Sequence, residues 1–386
     1  MPGGLSHLCA LGARVASDLQ RAPGQLLALS GASREGVAAC RGGPAERHDS
    51  VGGPVSDNLV EVTGLKRWFA VQTGLLDRLL AGHTDYVRAV DGISFGIRRG
   101  EVFGLAGESG SGKTTVGRLV LRLEQPTEGT VAFDGADLAT LGAEQLRTLR
   151  RRMQVIFQDP LASLNPRMTV ARAVEHPLRI HFPNDRQGHE ETVKEILEKV
   201  GLSPPEIFQD KYPHQLSGGQ RQRVVIARAL VTRPELVLAD EPIAMADVSV
   251  RALLLDLMIQ LKELLALTYL FITHDLATAR YICDRIGIMY LGKLCEMGDL
   301  REVYARPLHP YTQALLAAVP VPNPHERRTQ PMPAGEIPNA INPPSGCRFH
   351  PRCPVARLER CAVEEPELRE VRAGHRVACH FAEEFL

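Results

Sequence analysis

Gly107-Glu108-Ser109-Gly110-Ser111-Gly112-Lys113-Thr114-Thr115 is the stretch that decides the fold of this 386-residue chain. It fits the P-loop pattern, a glycine-rich turn that closes on Gly-Lys-Thr. The apolar run Val102–Ala106 before it reads as a buried strand, and residues 115–123 after it read as a helix. Glycines let such a turn curl so that several N–H groups face phosphate oxygens, and the helix N-terminus adds the positive end of its dipole. Gly107, Ser109, Gly110, Ser111, Gly112 and Thr115 are therefore assigned to phosphate binding. Lys113 reaches the β- and γ-phosphates, and the Thr114 hydroxyl is a ligand for Mg²⁺. The chain is expected to bind a nucleoside triphosphate, ATP.

The totals narrow the class further. The length suits one large core domain plus a smaller unit. Formal net charge is zero, so no bulk attraction to nucleic acid or to an anionic membrane is expected. No run of roughly eighteen apolar residues occurs, and no basic head precedes an apolar stretch at the start, so neither a spanning helix nor a secretory signal is expected. Of eight cysteines, Cys9, Cys40, Cys283 and Cys295 are scattered, while Cys347, Cys353, Cys361 and Cys379 crowd one end. Scattered cysteines beside an ATP site suit a reducing cytoplasm. Residues 1–54, rich in Gly, Ala, Arg and Ser without a helical or strand period, are expected to be disordered, or untranslated if synthesis starts at Val55.

Beyond that segment, Leu59-Val60-Glu61-Val62, residues 86–90 and residues 93–97 read as strands, with residues 68–83 as a hairpin excursion or loop. An aromatic from this region would stack on adenine; Trp68 is the candidate, with Phe69 and Tyr86 as rivals. After the P-loop helix, residues 128–135 form a short strand and turn. Residues 154–157 form another strand, which delivers Gln158 where a polar side chain senses Mg²⁺ or attacking water. Residues 159–230 read as helix and loop, with an amphipathic stretch at 190–200. Within them Ser217, Gly218, Gly219 and Gln220 open a second helix as an anion-binding N-terminus. Leu236–Asp240 is an apolar strand whose end carries Asp240, for the Mg²⁺ shell, and Glu241, as general base toward water. Another buried strand at 269–272 leads to His274, placed where open α/β sheets bind ligands and in reach of a γ-phosphate.

In that order the motifs resemble the ATP-binding subunit of an ABC transporter, over residues 59–320. Lys113 and Thr114 match its P-loop, Gln158 its Q-loop, Ser217-Gly218-Gly219-Gln220 its signature, Asp240 and Glu241 its Walker B, and His274 its switch histidine. A finer resemblance is to the ATPase subunits of oligopeptide and dipeptide permeases. It rests on Phe157-Gln158-Asp159-Pro160, Ser163-Leu164-Asn165-Pro166, the run from Tyr212 to Arg223, and His309-Pro310-Tyr311-Thr312-Gln313-Ala314-Leu315. The resemblance implies ATP-driven import of peptides, in some members of nickel chelates. It also implies a second, often non-identical ATPase subunit, two membrane permeases and an extracytoplasmic binding protein, with this chain on the cytoplasmic face of the membrane. Where the family reads Ser-Ala-Leu-Asp after Walker B, this chain has Ala244-Met245-Ala246-Asp247, at a stretch that in the family lies across the ATPase dimer.

The expected fold is α/β. A P-loop ATPase domain covers residues 55–305, with a helical subdomain at about 159–230, and a small Cys-rich extension covers 306–386. The extension is rich in Pro and Arg with little core of its own, a setting in which metals or disulfides often stabilise. A reducing compartment disfavours disulfides, and no spacing here is the close pair that zinc prefers. Irregularly spaced Cys347, Cys353, Cys361 and Cys379 suit an iron–sulfur cluster, and the resemblance favours [4Fe-4S]. Zinc and unligated thiols are the alternatives, with His350, His375 and His380 as substitute ligands. Two rival readings of the whole remain. A soluble ABC ATPase of DNA repair or translation would usually carry two cassettes or a coiled-coil insertion, and a P-loop kinase leaves the Ser-Gly-Gly-Gln cap unexplained.

Overall fold

The computed structural model describes residues 57–71, 85–319, 335–336 and 338–386. The expectation for residues 1–54 lies outside them. No described helix is long and apolar enough to cross a membrane.

The core is built on three short apolar strands, β3 (Val102–Ala106), β7 (Leu236–Asp240) and β8 (Thr268–Thr273), almost every residue of which is buried. Runs without polar alternation need cover on both faces, which is how parallel strands are used. They pair in parallel with β6 (Met153–Ile156) on one side and β9 (Arg285–Tyr290) on the other. β10 (Lys293–Asp299) turns back antiparallel on β9, and β12 (His375–Val377) and β11 (Arg369–Arg372) complete an eight-stranded sheet in the order β11-β12-β10-β9-β3-β8-β7-β6. A second, antiparallel sheet runs β2-β1-β4-β5, from β1 (Asn58–Ala70), β2 (Tyr86–Arg98), β4 (Glu128–Phe133) and β5 (Ala136–Asp137).

Helix α1 (Lys113–Val120) leaves the end of β3 and buries Val116, Leu119 and Val120 in the same core as Leu238 and Ile272. Between β6 and β7 lies a helical insert whose longer members are α2 (Val170–His181), α3 (Arg186–Lys199) and α4 (Gly218–Leu230). Its Val174, Leu197 and Val225 share one core with Ile156 and Val237 of the sheet. α5 (Val248–Leu265) and α6 (Leu276–Ile282) follow β7 and β8.

Two sequence readings change. β1 continues through Trp68 and Phe69 to Ala70, which pair with Arg88, Val87 and Tyr86, so strand pairing covers the start of the expected hairpin excursion or loop, whose residues 72–83 lie outside the described ones. The C-terminal region does share a core: Phe349 is 1% exposed and packs against Tyr290 and Tyr311 at ring-centroid distances of 5.4 and 5.3 Å. Its strands escape a sequence reading because Arg-Glu-Val-Arg and His-Arg-Val are short, charged edge segments.

The buried Glu296 of β10 fastens this region. Its carboxylate accepts from the backbone N–H of Leu308 and His309 at 2.8 and 3.0 Å and from His375 Nε2 at 2.7 Å. His309 caps α7 (Pro310–Ala318), its Nδ1 accepting from the Tyr311 N–H. Burial pushes His309 down from 6.5 to about 4. The unfolded chain therefore binds a proton that the folded chain refuses. Stability from this site is complete above pH 6.5 and lost as pH falls through the window toward 4. Urea unfolding at several pH values should show wild type losing about 3 kcal/mol across that window relative to His309→Asn, which keeps a capping acceptor without the titration. Parallel pH profiles for the two proteins would contradict it.

Candidate functional site

The P-loop runs from the end of β3 into α1, and two of its glycines are sterically required. Gly107 (φ 149°) and Gly112 (φ 103°) lie so close to the carbonyl oxygens of Met289 and Ala89 that an added Cβ would stand 2.1 Å from each. The loop is further tied by the Gly292 N–H, which donates to the Ser111 carbonyl at 2.9 Å. Lys113 Nζ donates to the carbonyls of Gly107 and Glu108 at 2.8 and 2.9 Å and to Ser111 Oγ at 3.3 Å. Burial lowers the Lys113 pKa, opposed by the nearby Glu241, Asp240 and Glu108 carboxylates.

Above the loop opens a cavity of about 650 Å³, within the range of ligand sites. Gly107, Ser109, Gly110, Gly112, Lys113, Thr114 and Thr115 line it together with Gln158, Glu241 and His274. Ser111 is buried beneath. Parallel pairing brings the last four groups of the expected site to one end of the sheet. β6 delivers Gln158, β7 delivers Asp240 and Glu241, and β8 delivers His274. Glu241 takes the left-handed conformation (φ 47°), uncommon for a non-glycine residue, while its N–H still donates to the Ile272 carbonyl. Both of its carboxylate oxygens are engaged. Gln158 Nε2 donates to Oε2 at 2.8 Å, and His274 Nδ1, in the tautomer protonated there, donates to Oε1 at 2.8 Å. Each oxygen keeps a lone pair that can accept a proton from water.

The Mg²⁺ expectation meets a donor set that fits. Thr114 Oγ1 donates to Asp240 Oδ1 at 3.2 Å, so the two ligand groups already adjoin. Burial, and the neighbouring Glu241, raise the Asp240 pKa. A divalent cation beside this carboxylate would relieve both costs.

The structure does not bring Trp68 to the cavity. Directly paired residues of an antiparallel ladder share a face, and Trp68 pairs with Arg88, whereas Phe69 pairs with the cavity-lining Val87. The indole N–H instead donates to Asp91 at 3.0 Å, with the Arg88 guanidinium 5.1 Å from the ring. Nor do Ser217, Gly218, Gly219 and Gln220 line it. They form a capping box at the start of α4, Ser217 Oγ accepting from the Gln220 N–H and Gln220 Oε1 from the Ser217 N–H, with Ser217 and Gly218 exposed. Val87, Ala89, Leu315 and Ala340 do line the cavity and were not anticipated. Val87 and Ala89 lie in the strand read at residues 86–90 and Leu315 in the His309-to-Leu315 motif, while Ala340 lies in no such stretch.

The cysteine expectation divides. Cys347, Cys353, Cys361 and Cys379 border one small cavity, with His350 and His380 beside them. His375 is committed to Glu296. Burial first, then the neighbouring thiols, push Cys347 up to about 12. Among the described residues, however, no three His, Cys, Asp or Glu side chains are grouped to hold a metal ion, so neither the cluster nor the zinc expectation meets a formed site there.

Residues 90–244 match the family described as ABC transporter, and residues 295–361 match the family described as oligopeptide/dipeptide transporter, C-terminal region. The chain is 46% identical over 327 residues to the oligopeptide transport ATP-binding protein AppF of Bacillus subtilis, covering 84% of this chain and 97% of that protein. It is 48% identical over 321 residues to a putative peptide import ATP-binding protein of Brucella ovis, covering 83% and 97%. The chain belongs to the ABC transporter ATP-binding proteins of the oligopeptide/dipeptide family. The dimeric structure of MJ0796, a bacterial ABC transporter cassette, overlays with a TM-score of 0.54 at 29% identity, covering 63% of this chain and 99% of that one. A post-hydrolysis state of the same cassette bound to ADP and Pi overlays equally, with 30% identity.

This chain is an ATPase. Replacing Glu241 by Gln keeps the shape and removes a carboxylate able to accept a proton from water. Phosphate release should fall about 10²–10³-fold while ATP binding stays within about threefold. Surviving turnover would reassign the base.

Proposed function

We propose that this chain powers import of di- and oligopeptides. It works at the cytoplasmic face of the cell membrane with a second ATP-binding subunit, two permease subunits and an extracytoplasmic peptide-binding protein. The observation that carries the solute class is the match of residues 295–361 to the oligopeptide/dipeptide C-terminal region, in a chain that spans nearly the whole of relatives named for peptide import. What supports pairing is the separation of two phosphate-binding features. The cavity over Lys113 lacks the Ser217–Gln220 cap, and that cap presents its helix N-terminus to solvent. Each ATP would thus be closed by the loop of one subunit and the Ser-Gly-Gly of the other. The altered Ala244-Met245-Ala246-Asp247, with Met245 69% exposed, would lie at that junction. Lys113 neutralises phosphate charge, Asp240 and Thr114 hold Mg²⁺, Glu241 takes the proton of the attacking water, and Gln158 and His274 orient Glu241. Mg²⁺, when bound, would be held by Asp240 and Thr114 and would supply positive charge against the phosphates.

The same proposal gives Cys347, Cys353, Cys361 and Cys379 a [4Fe-4S] cluster. Its support is that the four thiols border one cavity. When bound, such a cluster would cross-link the segment that carries it.

Two measurements test these readings. Tagged chain solubilised from membranes should co-purify permease subunits, and peptide uptake should fail in its absence; recovery with ribosomes or DNA would overturn the transport reading. Protein purified without oxygen should hold about four iron atoms per chain, lost on Cys361→Ser. Iron-free protein would leave the cysteines as plain thiols.

A further inference from the structure

The segment from Cys347 to Cys353 sends two arginines into the ATPase core. Arg348 is buried and bonds the Asp91 carboxylate and the Leu291 carbonyl. Arg352, whose side chain is 9% exposed, forks onto Glu108: Nη1 donates to Oε2 at 2.9 Å and Nη2 to Oε1 at 3.3 Å. The Tyr290 hydroxyl accepts from Nη1 at 3.3 Å and steadies the fork.

Glu108 is the second residue of the phosphate loop, and every polar handle it has is in use. Its backbone N–H donates to Tyr311 Oη at 2.9 Å. Its carbonyl accepts from Lys113 Nζ at 2.9 Å and from the Ser111 N–H at 3.2 Å. Where the Glu108 side chain is held therefore helps to set where the Lys113 ammonium stands. Electrostatics point the same way. Glu108 lines the cavity that takes the triphosphate, and an unpaired carboxylate there would repel the phosphates. A bidentate guanidinium cancels that charge and fixes its direction.

We propose that Arg352 is a positioning residue of the ATP site: carried by the cysteine segment, it holds and neutralises Glu108 so that the P-loop is set to receive a triphosphate. This rests on ATP binding at the P-loop, and on neither the peptide nor the cluster reading.

The test is a double-mutant cycle in the full chain, with ATP affinity and steady-state ATPase measured for wild type, Arg352→Ala, Glu108→Ala and the pair. Arg352→Ala should raise Kd and KM for ATP about tenfold while kcat stays within about threefold, since the interaction acts on bound ATP and on the transition state alike. In the Glu108→Ala background the same change should have little effect, because the carboxylate that needed an arginine is gone. Arg352→Lys should recover part of the affinity, keeping the charge and losing the fork. Should Arg352→Ala fail to fold, the cycle with Arg352→Gln decides. Equal penalties in both backgrounds, or an unchanged KM in a folded variant, would overturn the proposal. A wild-type chain that bound no ATP would instead sink the ATP reading, and this inference with it.

Discussion

The P-loop is wedged between two backbone carbonyls, and most of the molecule serves to hold them there. Met289 O belongs to β9 and Ala89 O to β2, so the loop is gripped by one strand from each sheet. Neither approach tolerates a Cβ, which makes Gly107 and Gly112 conditions of the fold as much as of phosphate binding. Hydrogen bonds around Gly292 close the grip: its N–H reaches the Ser111 carbonyl, and its own carbonyl accepts from the Asp91 N–H. A loop seated this way needs little reorganisation when a triphosphate arrives, which is what a preorganised electrostatic site requires.

The C-terminal region is part of that seat. Tyr311 and Arg352 bond Glu108, Leu315 and Ala340 border the cavity, and Phe349 packs under Tyr290 of β9. A segment that reads as an appendage is thereby built into the wall of the nucleotide site. Its own attachment depends on a buried carboxylate, Glu296, which is tolerable only because three donors meet it.

Much of the site was legible because its parts carry their physics locally. Gly107–Thr115 shows a strand, a turn and a helix in one reading. Leu236–Asp240 shows a buried strand by its lack of polar alternation, and Ser217–Gln220 shows a helix cap by its residue types. Trp68, Phe69 and Tyr86 cannot be told apart in the sequence because facing depends on pairing. One residue along β1 exchanges the cavity face for the other, and only its partner on β2 tells which is which. Ala340 carried no signal at all, since a small apolar residue in a loop announces neither packing nor binding.

The amino-acid sequence alone determined the α/β class, the glycine-rich phosphate loop and the order of the motifs, because those follow from residue type and near neighbours. Tertiary structure alone decided that Gln158, Glu241 and His274 meet on one carboxylate, that β11 and β12 extend the ATPase sheet, and that Arg352 reaches Glu108 across 244 positions of sequence. Contacts of that kind depend on which strands become neighbours. Pairing and packing of the whole chain settle that, and no local pattern records it.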